Sequence, residues 1–175
     1  MINTIMPGNQ TKKVSTISGK SFDEVRNQLL RRTVRLKERI SQRYDKLSQQ
    51  SALDNVRSLL EELKKKEEED THLIKKTIET GTLKSGDFDK PSGNYELLDH
   101  IISENLEDPD PNDLQSVLLS AMKMSNDLHK VLLIMSEEYK MAGISNFLRI
   151  LAEHEMENKN RLVDIYDELI NKDYW

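Results

Sequence analysis

Three long stretches of this chain contain neither glycine nor proline: residues 20–80, 112–142 and 144–175. The breakers that do occur are Pro7, Gly8, Gly19, Gly81, Gly86, Pro91, Gly93, Pro109, Pro111 and Gly143. Glycine loosens the helical backbone and proline blocks it, so breaker-free segments of this length read as long helices. Alternating runs rich in Val, Ile and Thr are missing, which argues against strands. The expectation is an all-α fold.

Ser21 and Glu24 form the Ser-x-x-Glu pattern of a capping box and start the first helix. A single helix over 21–80 would be about 90 Å long at ~1.5 Å per residue, too long for a chain of this size to bury. The polar segment Ser48-Gln49-Gln50-Ser51-Ala52-Leu53-Asp54 is its weakest point. The predicted helices are therefore 22–48 and 54–80, then 112–140 and 144–171, with Gly143 turning the chain. Between them lie a loop at 81–93, a short helix at 94–105 carrying Leu97, Leu98, Ile101 and Ile102, and a break at Asp108–Asn112. Two hairpins, 21–80 and 112–171, joined by a long crossover at 81–111, make one four-helix bundle over 21–175. Residues 1–20 are polar and read as a flexible N-terminal arm.

Composition narrows the function classes. Charged residues make up 33% of the chain and mean hydropathy is -0.69, and no stretch approaches the roughly 20 apolar residues of a membrane span. No apolar leader opens the sequence, so the expectation is a soluble, cytoplasmic protein with no membrane partner. The absence of cysteine excludes disulfides, thiolate metal sites and cysteine nucleophiles. No phosphate-binding glycine loop or Ser-His-Asp spacing occurs. Nucleic acid is disfavoured by the net charge of -5 and by the lack of aromatics beside the arginines.

The apolar stripes repeat. Leu29, Thr33, Lys37, Ile40, Tyr44 and Leu47 in the first helix correspond, 88 positions later, to Val117, Ala121, Ser125, Leu128, Leu132 and Met135. Val56, Leu59, Leu60, Leu63, Glu67, Asp70, Ile74 and Ile78 correspond to Ile144, Phe147, Leu148, Leu151, Glu155, Asn158, Leu162 and Tyr166. Spacings of three and four put each set on one helix face. A polar residue interrupts every stripe at the matching level, giving a predicted bundle-centre cluster of Lys37, Glu67, Asp70, Ser125, Glu155 and Asn158. The pattern reads as an internal duplication.

Leu151-Ala152 leading to Glu155 and Asn158, after Phe147, resembles the Leu-Ala-x-x-Glu-x-x-His helix of the rubrerythrin branch of the ferritin-like superfamily. Leu59-Leu60-Glu61-Glu62-Leu63 followed by Glu67 and Asp70 is similar. The resemblance covers about 22–80 and 112–171, and it implies a ferritin-like bundle around a carboxylate-bridged di-iron or di-manganese site. It also implies that the site is degenerate. The two other glutamate positions hold Lys37 and Ser125, the two histidine positions hold Asp70 and Asn158, and only Glu67 and Glu155 remain. No metal or other cofactor is then expected, and the chain reads as a non-catalytic structural or protein-interaction module. The alternative is a metal-binding or redox protein, rubrerythrin-like, holding iron or manganese on a rebuilt site of Glu67, Asp70 and Glu155.

Other signals carry less. Glu69-Asp70-Thr71-His72 is literally Glu-x-x-His, but His72 is half a turn out of phase with the stripe and should face solvent or a partner. Asp108-x-Asp110-x-Asn112 opens like a calcium loop, yet Asp113 and Leu119 replace the glycine and glutamate it needs. His100, His129 and His154 lie off the stripes and read as surface residues. Residues 21–80 carry 14 basic and 12 acidic side chains, residues 94–175 carry 7 and 17. Arg31, Arg32, Arg35, Arg39 and Arg43 thus make the first helix a docking face for an acidic partner. Leftover apolar positions at Leu36, Leu53, Leu73, Phe88 and Met124 point to a homodimer.

Overall fold

The computed structural model describes residues 21–82, 108–139 and 142–172. Among them are four helices and no strand: α1 (Phe22–Gln50), α2 (Asp54–Thr80), α3 (Leu114–Glu138) and α4 (Ala142–Lys172). The arm 1–20, the short helix expected at 94–105, Phe88 and His100 lie outside the described residues.

Local chemistry sets the helix ends. The Ser21 amide donates to Glu24 Oε2 at 2.8 Å and Ser21 Oγ accepts from the Glu24 amide at 3.3 Å, the reciprocal capping box. α1 ends where the Ser51 amide makes a last bond to Leu47 O at 3.0 Å. The chain then reverses, and Ser51 O accepts from Arg57 of α2. α2 ends at Gly81, whose φ of 60° is the left-handed conformation that glycine adopts without a Cβ clash. Asp113 caps α3 by accepting from the Gln115 amide at 3.1 Å. α4 begins at Ala142, so Gly143 lies inside its first turn and does not itself make the reversal. Glycine is a poor helix former but is tolerated where the first turn lacks intrahelical partners.

Side-chain contacts give the arrangement. α1 and α2 pack as one hairpin and α3 and α4 as another. α2 and α4 are neighbours and antiparallel, because Glu62 pairs with Arg161, Lys66 with Asn158 and Asp70 with His154, ascending in one helix and descending in the other. The Ala52 amide, just past the end of α1, donates to Asn112 before α3 at 2.7 Å, so α1 and α3 are also antiparallel neighbours. The circuit is α1–α2–α4–α3, with α1 and α4 on one diagonal and α2 and α3 on the other. α2 and α3 therefore run parallel, and the connection between them starts and finishes at opposite ends of the bundle.

A single hydrophobic core joins all four helices, from Leu30, Leu36 and Ile40 through Leu60 and Ile74 to Leu118, Leu128, Leu148 and Leu151. Leu36 and Met124 belong to this core, each 1% exposed, and so are not the leftover surface positions expected from sequence. With neighbours on two sides, each helix buries a wider arc than one stripe. Leu53 and Leu73 are exposed.

Candidate functional site

Lys37 is a charged side chain wholly inside the core. It projects from the middle of α1 with no exposure to solvent. Its Nζ lies 3.0 Å from Glu67 Oε2, 2.8 Å from Asp70 Oδ2 and 2.5 Å from Glu155 Oε1. Glu67 and Asp70, three apart on α2, share one face; Glu155 comes from α4 across the diagonal. An ammonium has three N–H donors; Lys37 donates to Glu67 and Glu155 and forms an ion pair with Asp70. Charge-assisted hydrogen bonds in so dry a setting are strong, and an unpaired charge there would be costly.

Asp70 faces two ways. Its Oδ2 meets Lys37, and its Oδ1 accepts from His154 Nδ1 at 2.8 Å. The His154 ring is 41% exposed, so it links the buried cluster to the surface. His154 read as an isolated surface residue from sequence. It sits one position before Glu155, off the inward stripe, but the α2–α4 seam brings Asp70 within its reach. The Glu-x-x-His match gave the other histidine of the region: His72 is exposed on α2, in a shallow groove with Glu38, Ser41, Gln42 and Lys75. His129 donates to Ala152 O at 2.8 Å and ties α3 to α4.

Ser125 and Asn158 are buried but do not bond Lys37. Ser125 lies beside the Tyr44 phenol, and Asn158 Oδ1 accepts from Lys66 Nζ at 2.9 Å. Asn158 lies at the α2–α4 seam, where the nearest cation is Lys66. Tyr44, read from sequence as plain core, is thereby the phenol beside the cluster.

The electrostatics follow from burial and pairing. For Lys37, burial works against the charged form, but Glu155, Glu67 and Asp70 together outweigh it and hold the ammonium well above the usual lysine range. Burial raises the Glu67 carboxyl to about 8; Lys37 pulls it down, while Glu155 and Asp70 push it further up. Burial also raises the Tyr44 phenol well above its usual value, reinforced by Glu67 and Glu155. With three carboxyl groups around one ammonium, proton uptake by Glu67 near neutral pH removes part of the surplus negative charge. Glu155 Oε2 is buried and has no hydrogen-bond partner among the described residues.

The cluster is therefore a fixed array of opposite charges. A protonated Lys37 is neither a nucleophile nor a Schiff-base former. Its carboxylates converge on the nitrogen. Among the described residues, no group of three or more His, Asp or Glu side chains has the geometry to hold a metal ion. No described helix is long and apolar enough to cross a membrane. Comparison with protein-family profiles, curated proteins and solved structures finds no match.

Proposed function

We propose that this chain is a ferritin-like helical module whose bundle centre has become an ion cluster, and that it serves a structural or protein-interaction role without catalysis. The observation that carries the reading is Lys37 Nζ within 3.0 Å of Glu67, Asp70 and Glu155 at once. In the resembled proteins the carboxylates of this level neutralise two metal ions. Here the ammonium takes that electrostatic role, and a di-iron or di-manganese centre fits the donor set poorly. The carboxylates already share a cation, and His154, the one imidazole in contact among the described residues, is turned toward Asp70 Oδ1.

Two further observations support the ferritin-like assignment. The parallel α2 and α3, with their long connection, match the topology that the resemblance implies. The 88-residue offset also carries the inner helix limits of each hairpin: Gln50 maps onto Glu138, the last residue of α3, and Asp54 onto Ala142, the first of α4. Buried Leu30, Leu36, Leu60, Leu63, Glu67 and Ile74 map onto buried Leu118, Met124, Leu148, Leu151, Glu155 and Leu162. An internal duplication accounts for both.

The test is elemental analysis of protein made in iron- and manganese-supplemented medium and purified without chelator. The expected result is far less than one equivalent of iron, manganese or zinc per chain. A stoichiometric metal would overturn the non-catalytic reading in favour of a site on Glu67, Asp70 and Glu155.

A further inference from the structure

The outward faces of α1 and α4 are charge complements at matching heights. Lys37 and Glu155 meet at the bundle centre and lie 118 residues apart. At about 100° per residue, Arg35, Arg39 and Lys46 point about 160–180° away from Lys37, straight out of the bundle. Glu153, Glu157 and Asp164 stand in the same relation to Glu155, and each lies 118 residues after its counterpart. All six are exposed. Two other outward positions pair neutral amides, Gln28 with Asn146 and Gln42 with Asn160, and Arg32 corresponds to Ile150. Arg31 with Arg149 and Arg43 with Arg161, like charges at the same offset, sit about 120° from the centre and fall on the two flanks.

α1 and α4 are parallel and diagonal, so these two ridges lie on opposite corners of one molecule. A second copy, displaced sideways along that diagonal, sets Arg35 against Glu153, Arg39 against Glu157 and Lys46 against Asp164, in register and without rotation. We propose that copies of this chain associate in this way, α1 of one against α4 of the next. The inference rests on the reading of the bundle as an interaction module and names its partner as a second copy. The contact is heterologous, because the two surfaces differ, so each molecule keeps one ridge free and the assembly grows as an open row. Arg35, Arg39, Glu153, Glu157 and Asp164 have no ion-pair partner among the described residues, and Lys46 has only a 3.7 Å contact to Asp108. The ridges are thus available.

Sedimentation of the full chain tests this, with salt as the variable. Between about 0.01 M and 1 M salt the screening length falls from about 30 Å to about 3 Å. At low salt the average mass should climb with concentration past that of a dimer, with no plateau. At high salt it should return to the 20.4 kDa monomer. Two double variants, Arg35→Gln with Arg39→Gln and Glu153→Gln with Glu157→Gln, should each remain monomeric with unchanged helical circular dichroism. Mixed in equal amounts they should form a complex that stops at two chains, since one intact ridge of each kind remains. A monomer at every salt concentration, a plateau at the dimer mass, or undiminished assembly by either variant would overturn the inference. None of these outcomes bears on metal content, so the non-catalytic reading stands or falls separately.

Discussion

Lys37 Nζ and Glu155 Oε1 are 2.5 Å apart across the diagonal of the bundle, joining residues separated by 118 positions. This bond ties one hairpin to the other through the buried centre of the bundle. The same ammonium holds Glu67 and Asp70 of its own hairpin, so its removal strands three carboxyl groups at once.

Lys37→Met should therefore destabilise the fold by about 3–5 kcal/mol, the cost of breaking a buried pair from one side. Urea unfolding followed by circular dichroism measures it. Replacing the carboxylates as well, with Glu67→Gln and Glu155→Gln on the Lys37→Met background, should recover part of the loss. Near-neutral stability of the single variant would mean that the cluster is not charge-balanced as described.

Glu67 gives a pH dependence of definite sign. Its folded-state value of about 8 lies above the ordinary 4.5, so the folded state binds the extra proton. That contribution is fully present below about pH 4.5 and is lost as pH rises toward 8. Glu67→Gln should flatten the fall in stability between those limits. Lys37, raised in the folded state, adds a contribution that persists through neutral pH and is lost only above the ordinary lysine value of 10.5. Unfolding midpoints from pH 5 to 9 for the natural protein and Glu67→Gln decide the matter.

Asp70 and His154 should differ in cost. Asp70→Asn weakens a buried contact to Lys37 and should cost about 1–3 kcal/mol. His154→Gln removes a contact on a partly exposed ring and should cost less than about 1 kcal/mol. Thermal melts of both variants at pH 6 rank them. A larger loss for His154→Gln would make the imidazole, and not Lys37, the main support of Asp70.

If the ammonium stands in for metal, reversing the substitutions should restore binding. The triple variant Lys37→Glu, Asp70→His, Asn158→His supplies the carboxylate and two imidazoles that the resembled site uses. Its melting temperature should rise on adding manganese, iron(II) or zinc, while that of the natural protein should not move. A triple variant that folds and ignores all three metals would count against the ferritin-like ancestry of the site.

Much of the architecture was legible because breakers and caps act locally. Ser21 and Glu24 announce the start of α1, and the polar run before Asp54 announces its end within two residues of Gln50. Gly143 misled because a glycine just inside a helix leaves the same mark in sequence as one that turns the chain. The inward phase of Lys37, Glu67, Asp70 and Glu155 was legible from periodicity, since each lies on an apolar stripe. The roles of His154, Tyr44 and Lys66 were not. Each depends on which helix lies alongside, and helical spacing carries no information about that. The same ignorance of neighbours made Leu36 and Met124 look exposed.

The parallel run of α2 and α3 has a consequence for how the molecule is put together. Each hairpin closes on itself, and the halves meet through side chains: Lys37 with Glu155, Glu62 with Arg161, Lys66 with Asn158. The named contacts join described residues of the two hairpins. Two polypeptides divided between residues 82 and 108 would still present one another with complementary charges. Fragment complementation between 21–82 and 108–172 should therefore show how far those seams alone bring the halves together.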